Sequence, residues 1–333
     1  MEPALGRARL RSHDGQFRTS FASMGTVVEV IAVGEAEPAL AGRLAGRCLH
    51  AERLWSRFLP DSDVSRLNTE AQQTGEWVRV SAETAAILQL AMTWVQRTDG
   101  AFTPLIGPLT KLWDVRTWLR QIAQHSTPPQ LPTPAEIDRA RERCRPELLE
   151  SDGDRRFRLR EGAQLDLGGL AKGLIADELR GLCQEAGLSS VLVSIGTSSV
   201  AACGERAPDV AWRVGLRALE GDPHTLLGSV DLHDASLATS ADNLQRLPTL
   251  IDGLAVHHVI DPRTGLPSAS GVRLASVVAR DGLTAEVAAT ALMVTGELPA
   301  QLSGDVEFLI AREDSTVEVS PAGSEIFHRP QVA

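Results

Sequence analysis

Lysine is nearly missing from this chain: of 33 basic residues among 333, two are lysines, Lys111 and Lys172. Positive charge as a whole is in deficit, and a formal charge of -10 argues against a mainly electrostatic nucleic-acid partner. Cysteine is sparse, and Cys48, Cys144, Cys183 and Cys203 form no CxxC pair, which excludes a zinc knuckle or thiol relay of that spacing and predicts buried free thiols. No apolar run approaches about 18 residues, so no membrane insertion is expected. The polar opening with Arg7, Arg9, Arg11, His13 and Asp14 has no apolar stretch behind it to act as a signal, which makes a cytoplasmic location the expectation. Internal repeats are absent.

What is present is the composition of a globular protein, 43% hydrophobic and 23% charged, long enough to bury a sizeable core. Thr26 to Val33 reads as a strand, and Leu40, Leu44, Cys48, Ala51 and Trp55 recur at helical spacing up to a stop before Pro60. Ser81 caps a second predicted helix that ends near Gly100. Ala101 to Trp113 is broken by proline and glycine yet apolar, and is predicted to be packed, irregular and part of a cleft. A proline-rich break over 119–134, with Pro128, Pro129 and Pro132, ends in a capping box at Thr133, Pro134 and Glu136. The region 119–150 therefore reads as a surface insertion in a single domain spanning 1–333.

Beyond Arg156 the pattern becomes denser. Short strands are predicted at Phe157 to Leu159 and Ala163 to Leu167, then a glycine turn, a helix carrying Ile175, Leu179, Leu182 and Ala186, and a strand at Val191 to Ile195. Further strands fall at Trp212 to Leu216, Gly228 to Leu232, Val272 to Val278 and Val306 to Ile310, with a helix over Thr284 to Val294. Alternating strands outnumber long helices in this half, which indicates an α+β fold.

The turn Asp166-Leu167-Gly168-Gly169-Leu170-Ala171-Lys172-Gly173 places an acid, three glycines and a rare lysine before a helix. Glycine permits positive φ and close backbone approach, helix-start amides favour anions, and lysine adds a point charge suited to phosphate. The order matches neither GxGxxG nor the Walker loop. Asp166 is suited to cap the turn, bind a cation or hydrogen-bond a ligand.

His257-His258-Val259-Ile260-Asp261-Pro262-Arg263-Thr264-Gly265 reads as a short strand entering a tight turn, with the two imidazoles on opposite faces. Histidine moves protons near neutral pH, and Asp261 is close enough in sequence to orient it. Glu286 and Thr290, four apart on one helix face, present two oxygens at a spacing that suits magnesium, or a threonine bonded back to its own helix.

Together these segments resemble the ApbE family of flavin transferases, magnesium-dependent enzymes that attach the FMN part of FAD to threonine or serine of a target protein. The resemblance runs from about Met24 to Gly296. It includes Met24-Gly25-Thr26, Trp55-Ser56-Arg57-Phe58, Pro60 to Asp63, Leu67-Asn68, Gly100-Ala101-Phe102, Gly107-Pro108-Leu109, Leu112-Trp113, Asp166 to Gly173 with Asp177, and His258 to Gly265.

The resemblance implies an α+β, T-fold-related architecture of mixed and antiparallel sheets with packed helices. It implies FAD as donor and an unidentified acceptor protein as partner, with Met24, Phe58, Asp166, Gly168, Gly169, Lys172, Gly173, Asp177, Gly196, Thr197, Ser240, Asp261 and Arg263 along the flavin nucleotide. Mg2+ would be held by the Ala171 carbonyl, Glu286 and Thr290, and His258 would activate the incoming hydroxyl. Water in place of that hydroxyl would give an FAD pyrophosphatase, and loss of turnover an FAD-binding protein. The chain departs from the family pattern at Phe58 (tyrosine in many relatives), Thr103 and Leu105 (aspartate and threonine), Gly196-Thr197-Ser198 (Gly-Gly-Asp or Gly-Gly-Asn), Ser240-Ala241 (Ser-Gly) and Glu286 (aspartate).

Overall fold

The computed structural model describes residues 9–329 apart from 14, 125–129, 223, 249 and 252, and describes side chains apart also from 9–13 and 70–74. Arg7, Asp14, Pro128 and Pro129 lie outside the described residues.

The chain opens with β1 (Arg9–His13), β2 (Gln16–Ser23) and β3 (Thr26–Val33). The register Ser23 opposite Thr26 leaves Met24-Gly25 as a two-residue hairpin loop, with φ of 54° and 71°. Positive φ at both positions is the type I′ requirement that matches strand twist. Helices α1 (Ala39–Trp55) and α2 (Asp63–Thr74), the short β4 (Val78–Arg79) and α3 (Ala82–Arg97) follow. Ser81 caps α3 by accepting from Thr84 N–H at 3.0 Å. Next come α4 (Gly107–Trp113), α5 (Val115–Ala123), α6 (Pro134–Glu142) with the expected capping box, β5 (Leu149–Ser151) and β6 (Arg156–Leu159).

The second half supplies α7 (Ala171–Glu185), β7 (Ser190–Ile195), β8 (Ser199–Cys203), β9 (Trp212–Arg217), β10 (Leu226–Leu232), β11 (Ser236–Ala241) and β12 (Val272–Ala279). It closes with α8 (Gly282–Thr295), β13 (Val306–Arg312), β14 (Val317–Val319) and β15 (Phe327–His328). One nine-stranded sheet, ordered β1-β2-β3-β7-β8-β11-β12-β13-β14 and antiparallel throughout, forms the scaffold.

Helices α7 and α8 pack on one face of this sheet, and α1 packs against α7. The alanine-rich α8 is apolar nearly all round because it is enclosed on nearly all sides, its Ala285, Val287, Ala288, Ala289, Ala291 and Leu292 being fully buried. On the opposite face, Val200, Leu237, Leu274 and Leu309 meet Trp212, Val230, Leu232 and Phe327 of a three-stranded sheet, β15-β10-β9. A third small sheet, β4-β6-β5, sits beside α2.

The stretch 119–150 shares a small satellite core with its surroundings, in which Trp118, Ala140 and Cys144 pack with Leu109, Trp113, Leu247, Val256 and Ile260. Three local expectations are corrected. Ala163 to Leu167 is not a strand: its backbone is satisfied instead by the Asn68 side chain, which bonds both Leu165 N–H and C=O (2.7 and 2.9 Å), and by Pro104 and Gly107. The His257–Ile260 segment makes isolated bridges at His257 and Ile260 rather than a strand, because it pairs with two different partners, Arg246 and Pro267. Within the segment expected to be irregular, Gly107–Trp113 is helical, with Pro108 in its first turn where a missing N–H costs nothing. All four cysteines are buried free thiols, and burial pushes Cys48, Cys144 and Cys183 up to about 12. Among the described residues no helix is long and apolar enough to cross a membrane.

Candidate active site

The glycine turn acts through contact rather than through positive φ, for none of Gly168, Gly169 and Gly173 has φ in the left-handed region. A Cβ on Gly169 would lie 3.3 Å from the Phe102 ring, and one on Gly173 would fall 2.1 Å from the Gly282 carbonyl oxygen. Gly173 and Gly282 therefore let α7 and α8 touch backbone to backbone at their N-terminal ends. No side chain caps the start of α7.

That contact brings Lys172 to Glu286. Lys172 Nζ lies 2.7 Å from Ser198 Oγ and 3.3 Å from both Ser199 Oγ and Glu286 Oε1, while Ser199 Oγ also donates to Glu286 Oε1. Glu286 is 4% exposed, and a carboxylate removed from water to that extent requires a cation and hydrogen bonds beside it. Thr290 is half-buried one turn further along α8, and Ala171 is buried at the first position of α7. Ser198 belongs to the Gly196-Thr197-Ser198 departure noted in the sequence, whereas Ser199, the first residue of an apolar strand, had no signal there.

Asp166 accepts from Gly168 N–H at 2.9 Å and faces the Arg57 guanidinium at 3.3 Å. Arg57 in turn covers the Phe58 ring, 4.8 Å from its centroid, and Phe58 is 75% exposed. The result is an aromatic face in solvent beside an acid and a cation. Asp177 faces elsewhere: it accepts from Ser236 Oγ and from Gly282 N–H, both at 2.6 Å, and pairs with Arg180 at 3.1 Å. Burial raises its pKa despite those partners.

Two loops lie at the same end of the sheet. Gly196 has φ of 65°, donates its N–H to the Val27 carbonyl, and a Cβ there would fall 2.7 Å from Thr26 Oγ1. Thr197 is exposed beside it, and Ser240 is half-buried on β11. Met24, in the hairpin loop, donates its N–H to Glu52 at 3.2 Å. Thr103 and Leu105 are both buried, and Thr103 Oγ1 accepts from Leu105 N–H at 3.2 Å.

His257 and His258 have different surroundings. His257 is buried with Nε2 3.0 Å from the Ser268 carbonyl, and burial lowers its pKa. His258 is half-buried, yet its Nδ1 is enclosed and unpartnered, and burial with His257 alongside pushes it down from the ordinary 6.5 to about 4. Both imidazoles are neutral at pH 7.

The segment is held firmly. Ser268 and Ser270 each donate to the Met293 carbonyl of α8 at 2.7 Å, and His258 N–H donates to the Gln245 carbonyl at 3.0 Å. The preceding loop is pinned by Asp242, wholly buried and paired with Arg246 and Arg273. Asp261 and Arg263 satisfy one another, with bonds of 2.9 Å to Nε and 2.8 Å to an Nη. The apolar segment predicted to line a cleft joins the two walls: Phe102 touches Gly169, Arg263 lies 3.8 Å from the position of a Cβ on Gly100, and Trp113 Nε1 donates to the Gly265 carbonyl at 2.9 Å.

Across residues 24–304 the sequence matches the model of the ApbE family. The chain belongs to the ApbE family. A relative from Salmonella typhimurium, an FAD:protein FMN transferase, is 30% identical over 302 residues, covering 87% of this chain and 83% of that protein. Among solved structures, the ApbE protein of Thermotoga maritima has the same fold with a TM-score of 0.79 at 24% identity, over 95% of this chain and all of that one. The flavin transferase ApbE of Vibrio cholerae gives 0.78 at 23% identity, over 96% and 100%. As in these ApbE structures, antiparallel sheets with packed helices make up the molecule.

Proposed function

We propose that this ApbE-family chain is an FAD:protein FMN transferase, a single catalytic domain that moves FMN from FAD to a threonine or serine of an acceptor protein and releases AMP. The observation that carries the reading is His258, a half-buried neutral imidazole on a loop tied through Phe102 and Trp113 to the cationic glycine turn. A base must be unprotonated before it can accept a proton, and His258 meets that condition throughout the physiological range.

In the proposed step the acceptor hydroxyl oxygen attacks the phosphorus on the FMN side of the FAD diphosphate. Its proton passes to His258, a phosphoester bond forms, and the bond to the AMP phosphate breaks. Lys172, with Gly168 and Gly169 beside it, orients the diphosphate oxygens, and Arg263 flanks them. The exposed Phe58 ring and Met24 are assigned to the ring systems of the nucleotide, while Gly196, Thr197, Ser240 and Asp166 border it. Asp177, whose oxygens already serve Ser236, Gly282 and Arg180, holds α7 to α8 instead.

Among the described residues no cluster of three or more His, Cys, Asp or Glu exists to cage a metal. The Glu286 carboxylate, Thr290 hydroxyl and Ala171 carbonyl are proposed as the groups that would hold magnesium, an ion that takes oxygen ligands, keeps waters and shares substrate phosphates. Magnesium held there would neutralise diphosphate charge. Because Lys172 already occupies the Glu286 carboxylate, metal affinity there would rise when the lysine engages phosphate.

The test is mass spectrometry of a candidate acceptor incubated with the protein, FAD and magnesium. An FMN adduct on threonine or serine with equimolar AMP is expected. Free FMN and AMP without an adduct would indicate a pyrophosphatase, and retained FAD with no products a binding protein.

A further inference from the structure

Next to His258 a cleft of roughly 510 Å³ opens between α5 and the loop after β11, lined by Arg116, Leu119, Arg120, Leu244 and Gln245. Gln245 belongs to both places. Its carbonyl accepts the His258 N–H, and its side-chain oxygen accepts from Arg116 Nε at 3.2 Å.

The cleft is chemically unlike the surface around it. Arg141, Arg145, Arg246, Arg263 and Arg273 each pair with a carboxylate. Arg116 and Arg120, one helical turn apart, bond only neutral groups among the described residues: Gln245 Oε1, Thr117 Oγ1 and the Arg116 carbonyl. Beside them Leu244 is 72% exposed. In a chain of net charge -10, two guanidiniums without an acid beside a bare leucine at the edge of the histidine loop put positive charge and apolar surface in one place.

We propose that this cleft docks the acceptor protein, taking a segment that flanks the modified threonine or serine and carries a carboxylate for Arg116 and Arg120 and an aliphatic side chain for Leu119 and Leu244. The proposal rests on the transferase reading for the identity of the partner. Electrostatic capture at the rim brings the hydroxyl-bearing segment to His258 in one orientation, and discriminates against basic or uncharged segments.

The probe is a fluorescein-labelled 12-residue peptide with a central threonine flanked by aspartate and leucine, against a control with asparagine for aspartate. With the full chain loaded with FAD, fluorescence anisotropy at low salt is expected to give at least tenfold tighter binding of the acidic peptide. The difference disappears in R116E/R120E, shrinks in R116Q/R120Q and falls with added salt. FAD affinity, measured by flavin fluorescence, stays unchanged in both variants, which also reports that they fold. Equal binding of the two peptides to the unmodified protein, or a fall in FAD affinity in the variants, would overturn the proposal, the latter by making the cleft part of the nucleotide site. Charge-selective binding supports the cleft whatever the chemistry, and the transferase reading fails separately if the acceptor assay with magnesium yields no FMN adduct.

Discussion

The two walls of the site manage polar groups in opposite ways. On the α7–α8 wall, Glu286 is met by Lys172 and Ser199, and Asp177 by Ser236, Gly282 and Arg180. On the histidine wall, His257 and His258 each keep an enclosed nitrogen with no partner. A buried pair is stable against solvent and resists rearrangement, whereas an unpartnered imidazole nitrogen retains its capacity for a proton or a ligand. In the proposed function the first wall holds the substrate and the second reacts with it.

Replacing His258 by alanine separates these roles most sharply. Transfer is expected to fall by about 10³-fold with little change in FAD affinity. A large drop in the melting temperature without loss of turnover would reverse the assignment of the two walls.

The opposite result is expected of E286Q, which leaves the Lys172 ammonium without its counter-charge: a loss of about 2–3 kcal/mol in urea unfolding, together with loss of magnesium affinity by calorimetry. K172M/E286L should recover much of that stability but no transfer. If the single and double variants prove equally unstable, the ion pair is not what holds this wall.

G173A probes the same wall without touching charge. Its methyl group would meet the Gly282 carbonyl, so about 1–3 kcal/mol of destabilisation is expected as α7 and α8 separate. An unchanged urea midpoint would show that the helices part freely.

A further test of the histidine wall is set by pH. His258 has a folded-state pKa near 4 against an ordinary 6.5, so the unfolded chain binds the proton more readily between those values. Stability contributed by the neutral ring is present above pH 6.5 and lost as pH falls toward 4, and the H258A variant should show a shallower decline in that window. Identical profiles would locate the acid sensitivity elsewhere.

Sequence patterns revealed the elements whose cause is local. The Ser81 cap, the Thr133 capping box, the Val191 to Ile195 strand and the apolar α8 each follow from neighbours within a few residues. Ala163 to Leu167 has the pattern of a strand but gives its hydrogen bonds to Asn68, 97 residues away, and no period records such a partner. The site divides in the same way. Its glycine turn, Lys172, His258 and Glu286 stand out in the sequence, whereas Ser199 and the Arg57 to Asp166 link exist only once distant segments meet. Asp177, conspicuous beside the glycine turn, points into the helix contact because α8 presents a free N–H there.

The glycine crossing of α7 and α8 also decides how the longer acid at position 286 is accommodated. With Gly173 and Gly282 already in backbone contact, α8 has no room to slide toward α7 and its spacing cannot track the length of the side chain. The length of the glutamate arm is therefore expressed as reach, carrying the carboxylate to Ser199 and Lys172. An aspartate placed here, one methylene shorter on the same fixed frame, would stop short of both.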